Sequence, residues 1–75
     1  MVGEKDHKTK LQEVLQSISD EKITYKVINE SGPAHDKLYE VEVYLGSKVL
    51  GFGIGKSKKE AEQNAANEAL KKTCM

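Results

Sequence analysis

Gly51-Phe52-Gly53-Ile54-Gly55-Lys56-Ser57-Lys58-Lys59-Glu60-Ala61-Glu62-Gln63-Asn64-Ala65-Ala66 passes from a strand pattern, through alternate glycines, into a helix. Ser57 followed three residues later by Glu60 is a capping-box spacing: the hydroxyl accepts from the Glu60 amide and the carboxylate reaches back to the Ser57 amide. A helix therefore begins at Lys58. Lys58 and Lys59 sit in its first turn, where the macrodipole disfavours cations. Free amides, a positive dipole end and converging ammonium groups suit a phosphate. A solvated helix start explains the same charges.

Working outward from this junction, Lys48 to Gly55 reads as a strand carrying Gly51, Gly53 and Gly55. Gly46-Ser47 before it is a turn signal. Lys37 to Leu45 alternates, with Tyr39, Val41, Val43 and Leu45 on one side and Leu38, Glu40, Glu42 and Tyr44 on the other, a half-buried antiparallel strand. Ser31 to Asp36 is a loop by composition, and Ile23 to Glu30 a first strand. Toward the N-terminus, Asp6 is a fair N-cap, and Leu11, Val14, Leu15 and Ile18 form the apolar stripe of a helix of three to four turns. Thr9, Gln12, Glu13 and Gln16 repeat that spacing about 200° round the helix, as an outward polar stripe. Hydroxyl, amide and carboxylate groups there suit hydroxyls and base edges better than phosphates, although a merely soluble face has the same composition. The last helix, Lys58 to about Lys72, buries Ala61, Ala65, Ala66, Ala69 and Leu70. The alanines permit close approach to the sheet. The expected fold is α+β, in the order α-β-β-β-α, with a three-stranded antiparallel sheet and both helices on one face. Residues 1–5 read as a disordered lead or linker remnant, and 6–73 as the domain.

At 75 residues the chain makes one domain with too small a core for a deep substrate cleft. Its 12 basic and 12 acidic side chains cancel, so net charge points to no partner. Distribution says more: between Val43 and Lys59 there are four lysines and no acid. Cys74, a lone cysteine, forms no internal disulfide and suits a reducing compartment; with no apolar span or secretion leader, a cytoplasmic location is expected.

Gly55-Lys56-Ser57 fits the end of a phosphate-binding G-x-x-x-x-G-K-[ST] loop, but the first glycine of that pattern falls on Leu50. His7 and His35 lack ligand-spaced partners, so no metal site is expected, and no nucleophilic constellation is present. A binding module with no catalytic site of its own and no cofactor follows.

Three regions resemble those of one family, the double-stranded RNA-binding domain. Asp6-His7-Lys8-Thr9-Lys10-Leu11-Gln12-Glu13-Val14-Leu15-Gln16 is similar to its first helix. Gly32-Pro33-Ala34-His35-Asp36 is similar to its loop between strands one and two, and Gly53 to Ala66 to its third strand and second helix. Within the family, the Asp-x-Lys-Thr-x-Leu-Gln-Glu start, Ala34-His35-Asp36 and Ala61-Glu62-Gln63 are most similar to the C-terminal domain of bacterial ribonuclease III. The resemblance implies that Thr9, Gln12, Glu13 and Gln16 enter one minor groove of duplex RNA and Pro33, Ala34 and His35 the next. Lys56, Lys58 and Lys59 would hold phosphates across the intervening major groove, with Ser57 and Gln63 as further RNA contacts. The footprint implied is ~16 base pairs, read by shape. It further implies a monomeric isolated domain in a homodimeric parent, and magnesium only in a catalytic domain that this chain lacks; no membrane or small-molecule substrate is expected. A domain of this fold used for protein dimerisation is the alternative. Many family members carry a third basic residue where this chain has Glu62. Glu62 is expected to pair with Lys58 or Lys59 and to subtract from the site.

Overall fold

The computed structural model describes residues 6–73. The expectation for residues 1–5, and Cys74, lie outside them. The elements are α1 (His7–Gln16), β1 (Ile23–Ser31), β2 (Leu38–Leu45), β3 (Lys48–Gly55) and α2 (Lys58–Thr73). They form an antiparallel sheet of order β1-β2-β3, the expected α+β arrangement. None of the described helices is long and apolar enough to cross a membrane.

The alternation in β2 sets the layering. Val41 and Val43 are fully buried on the helix side, and Leu11 and Leu15 of α1 meet them together with Ala61, Ala65, Ala66 and Ala69 of α2. Tyr25, Val27, Tyr39, Leu45 and Leu70 close the margins. Among the described residues only four large side chains are fully or almost fully buried, each contributing about 1.5–3 kcal/mol, so close fit matters more than bulk.

That fit is made by β3. Gly51, Gly53 and Gly55 point at α2, and a Cβ on Gly53 would lie 2.5 Å from the Ala61 carbonyl oxygen and against the Ala65 amide. A Cβ on Gly51 would stand 2.6 Å from the Ala65 oxygen. The helix backbone rests on strand backbone, glycine against alanine. The glycines that thin the strand pattern are therefore the seat of α2. Asn64 fixes the seat laterally, its Nδ2 donating to the Ile54 oxygen at 2.7 Å.

Two features depart from the sequence reading. The helix α1 stops at Gln16, and Ile18, expected on its apolar stripe, is 67% exposed. The Ser17 hydroxyl donates to the Val14 oxygen at 2.6 Å, and the Ile18 amide reaches Leu15 at 3.1 Å, closing a tighter turn that swings Ile18 off the stripe. In the sheet, pairing skips Ile28 in β1 and Leu50 in β3. These bulges re-aim the strand ends without disturbing Val41 opposite Gly53.

Candidate nucleic-acid interface

The start of α2 is built as the capping box requires, with one displacement. The Glu60 amide donates to Ser57 Oγ at 3.0 Å, but the Glu60 carboxylate accepts from the Lys56 amide at 2.7 Å, one residue earlier than expected. The carboxylate folds back along the strand exit instead of over the helix axis. Among the described residues, the Lys58 and Lys59 amides have no acceptor, and neither side chain pairs with a carboxylate. Exposed ammonium groups and free amides thus share one helix end, the arrangement that favours an anion.

The loop between β1 and β2 lies beside this end. Gly32 turns the chain at φ +93°, where an added Cβ would meet the Asp36 oxygen at 2.6 Å. The Asp36 amide then donates to Pro33 O at 2.9 Å, putting Ala34 and His35 at the corner of a tight turn, both exposed. Asp36 also faces Lys56 Nζ at 3.6 Å. This ion pair is largely solvated and worth little in stability, but it joins the loop to the strand-to-helix junction.

On α1, Asp6 caps the helix by accepting from the Lys8 amide at 3.2 Å and the Thr9 amide at 3.5 Å. Thr9, Gln12, Glu13 and Gln16 are all exposed, as the stripe predicts. Gln12 and Gln16 stand on the rim of an open cleft of about 430 Å³ between α1 and the beginning of β1.

Gln63 and Glu62 are placed differently from the sequence reading. Gln63 Oε1 accepts from the His7 amide at 2.9 Å and the Lys8 amide at 3.3 Å, while its Nε2 donates to Asp6 at 2.7 Å. Its amide group faces α1. Glu62 pairs with Lys8 at 2.6 Å, not with Lys58 or Lys59. The roll of α2, fixed by its alanine face, turns both side chains toward α1. Lys8 Nζ also lies 5.0 Å from the centre of the Tyr25 ring. The hydrogen bond from Gln63, aided by those from Thr9 and Lys8, holds the Asp6 carboxyl below its ordinary range despite opposing desolvation. Burial, then the charges of Glu62 and Asp6, push the Tyr25 hydroxyl up to about 12, so it stays protonated at neutral pH. Sequence reasoning missed this bridge. The available signal was that the first amides of α1 need acceptors beyond a single Asp6 cap.

The family model for the double-stranded RNA binding motif matches residues 7–73. Ribonuclease 3 of Enterococcus faecalis is 57% identical over 68 residues, covering 91% of this chain and 30% of that protein. Ribonuclease 3 of Streptococcus uberis is 62% identical over 66 residues, covering 88% of this chain and 29% of that protein. This chain therefore spans less than a third of the length of these relatives. Among solved structures, that of Dicer from Pichia stipitis superimposes with a TM-score of 0.72 at 32% identity, over 95% of this chain and 34% of that one. The chain, with its α-β-β-β-α order and a family match along almost all of its described length, belongs to the double-stranded RNA binding motif family.

Proposed function

We propose that this chain binds double-stranded RNA by shape and presents it to the nuclease portion of a ribonuclease III. The observation that carries the reading is the contiguity of three surfaces: the loop tied to Lys56, the unpaired lysines and free amides at the start of α2, and the exposed α1 stripe docked beside them. In this reading Gln12, Glu13 and Gln16 bond 2′-hydroxyls and base edges in one minor groove. Pro33, Ala34 and His35 enter the next, and Lys56, Lys58 and Lys59 hold phosphates between them. Ser57 serves through its cap, keeping the neighbouring amides aimed outward. The isolated chain is a monomer that does not cut RNA; magnesium and cleavage belong to another part of a homodimeric, cytoplasmic parent, where paired domains add avidity.

The test is parallel titration of the chain with blunt RNA and DNA duplexes of one sequence, longer than ~16 base pairs, followed by amide shifts. Shifts at Gln12, His35 and Lys58, with tighter binding to RNA, are expected. Equal affinity for both duplexes would sink the shape reading.

A second reading, pairing between copies, is favoured by one observation: Val49, Phe52 and Ile54 are 41–50% exposed on the sheet face away from the helices. Sedimentation of the RNA-free chain decides it. A concentration-dependent dimer abolished by Phe52→Lys would support pairing, and a monomer throughout would end it.

A further inference from the structure

The contact between α1 and α2 combines two kinds of surface. Leu11 and Leu15 press α1 against alanines and the valines of β2. Burial of this kind is non-directional, and an alanine surface offers shallow ridges, so it resists sliding or rolling of a 10-residue helix only weakly. Direction comes from the polar bridge. Gln63 takes the two leading amides of α1 and donates to its cap, while Glu62 holds Lys8. Gln63 lies four residues, about 6 Å of rise, beyond Lys59 on the same rigid helix. The bridge therefore indexes the groove-facing stripe of α1 to the lysines that face phosphate.

We propose that Gln63 and Glu62 are positioning residues: by fixing α1 against α2 they set the spacing between the two contact surfaces, and so select duplexes with the matching groove separation, without touching RNA themselves. This rests on the RNA reading above. It assigns Gln63 a different role from direct contact, and it makes Glu62 a contributor to binding instead of an electrostatic burden on it.

The two roles separate experimentally. Gln63→Met keeps the volume and removes all three hydrogen bonds. Its affinity for a duplex longer than ~16 base pairs should fall, while that for a duplex of about 8, which engages one groove only, should stay within error. The fall expected is roughly three- to tenfold, the worth of about one net hydrogen bond. Charge reversal supplies the second arm on a partly exposed pair that folding tolerates. Glu62→Lys and Lys8→Glu should each weaken long-duplex binding, and the double variant, with the native net charge, should return to within about twofold of wild type. Equal losses on both duplexes for Gln63→Met would show direct contact and overturn the proposal. So would tighter binding by Glu62→Lys, or failure of the double variant to recover. A wild-type chain that bound no duplex RNA would defeat the functional reading itself, whereas normal wild-type binding with indifferent variants would defeat the positioning role alone.

Discussion

Gly53→Ala tests the contact on which the placement of α2 depends. The backbone of Gly53 is not in the left-handed region, so alanine is conformationally acceptable there and loses less chain entropy on folding, a gain of about 0.4–1 kcal/mol. Against this stands the new methyl group, 2.5 Å from the Ala61 oxygen, where ordinary contact begins at 3.4 Å. The obstructing atoms, from Ala61, Asn64 and Ala65, are all helix backbone and cannot rotate away. Relief means lifting α2 by at least about 0.9 Å, a gap that forfeits a quarter to a half or more of the dispersion energy along the layer. Overpacking of this kind costs about 1–3 kcal/mol, and rigid neighbours put this site at the upper end. The net loss is about 2 kcal/mol. For a domain of this size that lowers the melting temperature by roughly 8–16 °C. Thermal unfolding followed by circular dichroism at the helix band measures it, with Ile54→Ala on the opposite face of the same strand as the comparison. A fall of less than about 4 °C would mean the layer yields at little cost, and the claim that glycines seat α2 would be wrong.

Two further outcomes follow from the geometry. Lys58→Ala and Lys59→Ala should each flatten the dependence of log affinity on log salt by up to about 0.9, taking the B-DNA coefficient as a guide, whereas Gln12→Ala and His35→Ala should weaken binding with the slope unchanged. Binding isotherms at several salt concentrations on one duplex distinguish them, and a flattened slope for Gln12→Ala would reverse its assigned role. Because the Asp6 carboxyl is depressed in the folded chain, its contribution is complete above the unfolded value of about 3.9 and is lost as pH falls through the lower folded value. The Lys8 and Thr9 amide resonances should therefore move only below about pH 4, and Asp6→Asn should abolish that limb.

What was legible in the sequence was what local chemistry decides. The period-two pattern of β2 and the caps at Asp6 and Ser57 are properties of neighbours within four residues; the first two appear as read, and the Ser57 cap does so apart from the return of the Glu60 carboxylate to the Lys56 amide. Ile18 was misplaced because periodicity continues on paper past a serine that ends the helix by bonding Val14. The bulges at Ile28 and Leu50 left no trace in the alternation, since one inserted residue looks like a lapse in pattern. Glu62 shows the limit most clearly. Spacing offered Lys58 and Lys59 as partners at one helical turn, yet its partner is Lys8, 54 positions away in the chain. Nothing short of the packed helices brings that lysine within reach.

The same pairings explain how a chain of zero net charge is suited to a polyanion. Screening at physiological salt limits each exposed charge to about 8 Å, so the total matters less than which cations are already answered. Lys8 is answered by Glu62 and Lys37 by Glu30, while Lys56 faces Asp36 at the longer distance of 3.6 Å. Lys58 and Lys59, like Lys10, Lys22, Lys26, Lys48, Lys71 and Lys72, face no carboxylate among the described residues, and they share the start of α2 with amides that have no acceptor. With two or three phosphates held, the salt slope of one domain should be no steeper than about −2 to −3. Non-specific attraction is then weak. In the proposed reading, most discrimination then comes from the placement of Gln12, Gln16 and His35 relative to those phosphates, and hence from whatever fixes α1 and the loop against the start of α2. On that account the bridge of Gln63 and Glu62, the Lys56 to Asp36 pair and the glycine seat of β3 bear on recognition as directly as the groups that would touch RNA.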